Sequence, residues 1–156
     1  MSMHAEITLD TPDQTAEIAR RIGARLQAGD VILLEGGIGA GKTHFARALI
    51  QSLLTVSEDV PSPTFTLVQT YDTPAFEIWH ADLYRLTSPD EVVELGLTEA
   101  FDTALCLVEW PDRLDDLTPT RALTLAFATT EDDDRRTLTA SWVQPDWSHR
   151  LQGILM

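Results

Sequence analysis

One stretch constrains the fold of this chain more than any other: Gly36 to Thr43 reads G-x-x-x-x-G-K-T. The apolar run Val31-Ile32-Leu33-Leu34 precedes it, and His44-Phe45-Ala46-Arg47-Ala48-Leu49-Ile50, which suits a helix, follows. Strand, glycine loop and helix in that order form a phosphate-binding P-loop. Glycines allow the tight turn and let successive backbone N–H groups approach phosphate oxygens with no Cβ between them. The helix opening at Lys42 adds unpaired donors and the positive end of its dipole. Lys42 then reaches the β- and γ-phosphates, and the Thr43 hydroxyl is placed for Mg2+. Lys42 is the only lysine in the chain; every other strongly basic residue is arginine. The loop from Gly37 through Ile38, Gly39, Ala40, Gly41, Lys42 and Thr43 to His44 is therefore the expected nucleotide cradle. A chance glycine turn before a helix is the alternative, and it leaves the agreement of all three elements unexplained.

The formal net charge is −14 and the isoelectric point near 4.4. Extended contact with nucleic acid rests on Lys and Arg neutralising phosphates, so this balance argues against it. Any service to RNA is expected through a partner. The chain has no asparagine, which removes an N-K-x-D element for reading guanine and favours ATP over GTP. Its 156 residues suit a single domain, residues 1–156, with one sizeable core. No stretch approaches the roughly 18 apolar residues of a membrane span, and the N-terminus lacks a basic start and an apolar h-region. A soluble, cytoplasmic protein is expected. The lone Cys106 lies in an apolar run and reads as a small buried hydrophobe.

Along the chain, Glu6 to Leu9 reads as a short strand. Thr11 then caps a helix, with Pro12 at its first position, Gln14 closing a capping box, and Ile18, Ile22 and Leu26 on one face; Gly29 suits its C-terminal end. Two prolines hold the start of Val60 to Thr66 extended. Leu67 to Tyr71 and Phe76 to His80 form a plausible hairpin. Ser88, Pro89 and Glu91 repeat the helix-start chemistry, and Gly96 ends that helix. Ala104 to Val108 is nearly continuous apolar sequence, expected of a strand covered on both faces. Arg121 to Ala128 and Arg136 to Trp142 read as strands joined across the acidic turn Glu131 to Asp134, and Asp146 to Leu155 as a terminal helix. The expected fold is α/β: a three-layer P-loop domain with a mixed parallel and antiparallel sheet.

Hydrolysis needs a metal carboxylate and a group that orients water. Glu109, at the end of an apolar strand, is the leading metal carboxylate, as in a Walker B strand; the alternative is an ordinary strand-end acid. If the strand before it extends through Asp82, His80 and Asp82 share one face. Asp82 is then the candidate for positioning water or supporting the metal. His80 is a catalyst or a structural hydrogen-bonder. Arg85 pairs with phosphate, with an acid on another protein, or in a local salt bridge, and Tyr84 reads as packing. Ser62, Thr64 and Thr66 are a switch-like loop sensing the γ-phosphate or simply turn formers. Trp110 is an anchor for a partner or a core residue.

Together the P-loop, Ser62-Pro63-Thr64-Phe65-Thr66-Leu67-Val68, His80-Ala81-Asp82-Leu83-Tyr84-Arg85-Leu86 and Val108-Glu109-Trp110-Pro111 resemble, in order and spacing, the bacterial TsaE (YjeE) family. The resemblance covers about positions 5 to 143. It implies an ATPase needed to make N6-threonylcarbamoyladenosine at position 37 of tRNAs, acting with TsaB and TsaD, with ATP hydrolysis resetting the complex between turnovers. It also implies Lys42 as the phosphate lysine, Thr43 and Glu109 as magnesium ligands, Asp82 as a catalytic acid, and Ser62, Thr64 and Thr66 as the switch-like loop. Adenosine contacts fall near Thr11 to Thr15 and in the acidic turn, where the family's Gly-Arg pair is replaced by Asp134 and Arg135 or Arg136. Activity alone is expected to be low, with tRNA met only through the complex. A small-molecule kinase and a non-catalytic, nucleotide-gated binding module are the competing readings.

Overall fold

Twelve regular elements, of which seven are strands, are described for residues 2–156 by the computed structural model. In chain order they are β1 (Met3–Leu9), α1 (Pro12–Gly23), β2 (Val31–Glu35), α2 (Lys42–Leu53), β3 (Val68–Asp72), β4 (Glu77–Asp82), α3 (Pro89–Glu94), α4 (Leu97–Thr103), β5 (Leu105–Glu109), β6 (Leu123–Thr129), β7 (Arg136–Trp142) and α5 (Asp146–Leu151), with a 3-10 segment over Pro111–Leu117. The strands form one sheet in the order β1-β7-β6-β2-β5-β4-β3. β2 lies parallel to both β5 and β6, and β4 is parallel to β5. The β1–β7, β6–β7 and β3–β4 pairs are antiparallel.

The alternation within β2 explains its unbroken apolar run. Ile32 and Leu34 join the core containing Ile22 of α1 and Phe45, Leu49 and Ile50 of α2. Val31 and Leu33 join the opposite core, with Val92 of α3 and Leu97 and Phe101 of α4. β5 divides the same way: Leu105 and Leu107 face the first core, Cys106 and Val108 the second. A strand covered on both faces has no polar positions to alternate. The result is three layers around a mixed sheet.

Several boundaries depart from the sequence reading. The Thr11 hydroxyl accepts the Gln14 N–H at 3.2 Å, but the Gln14 side chain reaches one residue past the cap, accepting from Asp10 N–H at 2.8 Å. α1 ends at Gly23, so Gly29 is not its terminator and Leu26 lies beyond it. Gly29 instead turns the chain at φ 88 into β2 and donates its N–H to the Ala104 carbonyl. Glu91 caps through Thr87, accepting from its N–H and hydroxyl, while the Ser88 side chain makes no capping bond. Gly96, at φ 82, ends α3 and also opens α4, a helix the sequence pattern did not separate. α5 stops at Leu151, short of Leu155.

Parallel pairing places the site. Leu34 lies opposite Glu109 in one ladder, and Asp82 lies opposite Glu109 in the next. Three strand ends, from β2, β4 and β5, thus meet beside the glycine loop, at the carboxyl edge where α/β sheets bind ligands.

Candidate nucleotide-binding site

Backbone geometry shapes the loop first. Gly36 has φ 143, and a Cβ there would lie 2.6 Å from the Phe127 carbonyl oxygen of the neighbouring strand. Gly41 adopts φ 109 as the N-cap of α2. A Cβ on Gly37, Gly39 or Gly41 would meet no atom within 4 Å, so the loop leaves open space of the kind a phosphate chain fills. Ala40, by contrast, turns its methyl into the core.

Charged and hydroxyl groups converge on that space. Lys42 donates to the Gly36 carbonyl at 2.5 Å, and its ammonium lies 3.4 Å from the centroid of the Trp110 ring. Burial lowers the lysine pKa from 10.5, against the opposing pull of Glu109, Asp82 and Asp112. The Thr43 hydroxyl donates to Glu109 Oε1 at 2.8 Å, and His80 Nε2 donates to Glu109 Oε2 at 2.7 Å. Asp82 accepts the Tyr84 N–H at 2.9 Å and the Thr64 hydroxyl at 3.3 Å, while Thr64 pairs with Ser62 at 2.7 Å. A cavity of about 230 Å³ is lined by Lys42, Thr43, Thr64, Asp82, Glu109 and Trp110, among others.

A second cavity, about 280 Å³, lies on the other side of the loop between Pro12, Thr15, His44, Asp133, Asp134 and Arg136. Gly39 lines both. Thr11 itself is occupied in capping α1, and Pro12 and Thr15 face the cavity in its place. Of the two arginines after the acidic turn, Arg135 pairs with Asp10 at 2.9 Å, and Arg136 reaches the loop, donating to the Gly39 carbonyl at 3.2 Å.

Other expected positions stand further out. Thr66 accepts from the Gln69 amide, and Arg85 lies over the Phe65 ring at 5.1 Å; neither lines a cavity at the loop. Tyr84 is not packed inside as the sequence suggested. It is 45% exposed, lines the first cavity and meets Trp110 with ring centroids 4.8 Å apart. Thr15 and Asp133 fall within the two stretches where the resemblance placed adenosine contacts, whereas nothing in the sequence marked Tyr84 for the cavity wall. Its place there arises from chain crossings that local patterns do not encode.

The fold and the glycine loop together define a P-loop nucleotide-binding class, in which backbone donors, a lysine and a hydroxyl-bearing residue converge on a phosphate site. The family model described as "Threonylcarbamoyl adenosine biosynthesis protein TsaE" matches residues 9–138, and the chain belongs to the TsaE family. A Rickettsia bellii protein named tRNA threonylcarbamoyladenosine biosynthesis protein TsaE is 39% identical over 133 residues, 85% of this chain and 92% of the relative. A Bacillus subtilis protein of the same name is 37% identical over 125 residues, 80% of this chain and 77% of the relative. The crystal structure of Bacillus subtilis YdiB superposes with a TM-score of 0.80 at 27% identity, covering 99% of this chain and 95% of that one.

Proposed function

We propose that this chain is a Mg2+-dependent ATPase serving the formation of N6-threonylcarbamoyladenosine at position 37 of tRNA, acting with TsaB and TsaD in the cytoplasm as one domain. The names of its relatives support the pathway. The observation that carries the ATPase reading is the Thr43–Glu109 contact at the mouth of the glycine loop, with Asp82 opposite Glu109 across the ladder.

The residues fit the group. Among the described residues no three His, Cys, Asp or Glu side chains converge as a metal site. A P-loop magnesium needs no such cluster, because phosphate and water complete its shell. Thr43 and Glu109 would hold it, and the ion neutralises charge developing on the phosphates. Backbone N–H groups of the loop bind the phosphates, and Lys42 leaves the Gly36 carbonyl to pair with them. Asp82, anchored by Tyr84 N–H, keeps the second carboxylate aimed into the cavity to orient water. Thr64 links that carboxylate to the loop that begins at Pro61.

A partner is supported by the rim. Ile38, 83% exposed, and the half-exposed Tyr84 line the first cavity, and Phe65, 82% exposed, follows Thr64 of its wall, apolar surface that a partner would cover. Activity is therefore low alone and rises when a partner covers the rim. The net charge of −14 keeps contact with tRNA indirect. Phosphate release from ATP, measured alone and with TsaB and TsaD, tests this: slow release that rises with the pair is expected, and no response to the partners overturns the partnership. Lys42→Ala abolishes binding or turnover, whereas Asp82→Ala and Glu109→Ala spare most binding and lose turnover. Labelled phosphate appearing on a metabolite instead of free phosphate would establish a kinase. Partner affinity that needs ATP and survives loss of hydrolysis would establish a nucleotide-gated module.

A further inference from the structure

Glu109 is a buried carboxylate, 2% exposed, whose two oxygens are differently engaged: Oε1 by the Thr43 hydroxyl, Oε2 by His80. His80 is fully buried, and its second ring nitrogen, Nδ1, has no hydrogen-bond partner. A hydrogen on Nδ1 would be a buried donor without an acceptor, so the network assigns the ring hydrogen to Nε2, where it donates to Glu109. His80 precedes Asp82 by two residues on β4 and therefore shares its face. In the ladder it stands opposite Leu107, two positions before Glu109, and its ring reaches along the strand to the carboxylate.

Without that donor, Glu109 would keep one hydrogen-bonded oxygen and a flexible stem. A competing attraction comes from the Lys42 ammonium, whose charged form Glu109 favours more than any other carboxylate does. A carboxylate drawn toward Lys42 would leave Thr43. Being fully buried, His80 touches neither nucleotide nor water in the cavity; its action passes through Glu109.

We infer that His80 is a positioning residue, holding the Glu109 carboxylate with Oε1 turned to Thr43 and thereby setting how strongly magnesium and nucleotide reinforce each other's binding. The inference rests on the reading of Glu109 as the metal carboxylate. Outer partners that orient a ligand commonly change metal affinity 10- to 100-fold when removed.

The test uses the full chain and compares the affinity for a non-hydrolysable ATP analogue in magnesium and in EDTA. His80→Leu keeps bulk and removes the donor; His80→Gln places an amide N–H near the position of Nε2. The ratio of the two affinities is expected to fall about tenfold in His80→Leu and to be largely restored in His80→Gln, with the EDTA affinity unchanged in both. A ratio in His80→Leu equal to that of the parent chain, or one that His80→Gln fails to restore, overturns the inference. A purely packing role would lower the unfolding midpoint and leave the ratio intact. If His80→Leu does not fold, His80→Asn, whose amide is too short to reach Glu109, takes its place with the same expected loss. Glu109→Gln in the same assay separates the two readings. If it lowers the ratio and His80→Leu does not, only the positioning role fails; if it leaves the ratio unchanged, the metal-carboxylate reading fails and takes the inference with it.

Discussion

The ammonium of Lys42 lies 3.4 Å from the centroid of the Trp110 ring, and Trp110 presents that ring from a left-handed backbone, φ 57 and ψ 55. A bulky residue in this region carries strain of about 1–3 kcal/mol, offset in part by the cation–π contact, worth about 1–2 kcal/mol where solvent is partly excluded. Nucleotide binding must draw the lysine away from this resting place. Because Lys42 is the only lysine, amine-reactive reagents can modify only it and the chain's amino terminus. Bound ATP is expected to suppress labelling of the Lys42 peptide and not of the amino terminus, as read by mass spectrometry.

The sign of the Lys42 pKa shift gives a second expectation. Burial disfavours the ammonium and holds its pKa below 10.5, while bound phosphates favour the charged form and raise it. ATP binding at alkaline pH therefore takes up protons, in the window between the lowered value of the free protein and the higher value of the complex. In the free protein, the cost of the buried charge is fully present below the lowered pKa and is relieved as pH rises toward 10.5. Calorimetry in buffers of different ionisation enthalpy should detect the proton uptake, and Lys42→Arg, which stays charged, should abolish it.

Two neighbouring glycines separate stability from binding. Gly36→Ala would place a methyl 2.6 Å from the Phe127 carbonyl at φ 143, and should cost on the order of 3 kcal/mol in urea unfolding. Gly37→Ala meets nothing within 4 Å and should change stability by less than about 1 kcal/mol. Its methyl nonetheless enters the open space of the loop, so weaker nucleotide binding without unfolding is expected. Equal destabilisation by both substitutions would contradict the geometry.

These contrasts show what the sequence made legible. The strand, loop and helix around Gly36 to Thr43 are local, and their periodicity and glycine spacing announce them. The placement of His80 and Asp82 on one face follows from strand alternation as soon as β4 runs to Asp82. What remained hidden depends on partners far along the chain. Arg135 turns away to Asp10, 125 residues distant, leaving Arg136 at the loop. Trp110 reads as an anchor or a core residue until its backbone folds it over Lys42. The division at Gly96, where the backbone turns left-handed at φ 82, stays hidden because neither short helix is long enough to announce itself through periodicity.

At the opposite end of β2 from the glycine loop, Arg150 makes a two-point pair with Asp30, at 2.5 and 3.1 Å, and stacks on Trp147. Desolvation opposes the arginine charge there, yet bonds to Asp30 and Asp146 outweigh it and raise the pKa. Asp30 and Arg150 line an open cavity of about 610 Å³, so water partly screens the partner left behind, and Arg150→Met should cost about 2 kcal/mol, the range of hydrogen bonds to charged groups. The pair lies roughly 17 Å from the loop along the strand. Nucleotide affinity should be unchanged once the fraction folded is accounted for, and a loss of affinity in the folded protein would mean that the two ends are coupled.

Cys106 offers a direct report on the centre of the sheet. It is fully buried on β5, between Val31 of β2 and Trp79 of β4 in the ladders. Burial pushes its thiol up to about 12, with Arg121 opposing the rise and Glu77 adding to it. The thiolate is the reactive form, so at pH 8 the native protein should resist thiol reagents through both low accessibility and a very small thiolate fraction. Labelling in urea should follow the global unfolding transition, because exposing Cys106 requires lifting α3 and α4 from the sheet face they cover. Labelling that precedes loss of the far-ultraviolet signal would instead show that this helical layer opens locally over β5, the strand that carries Glu109.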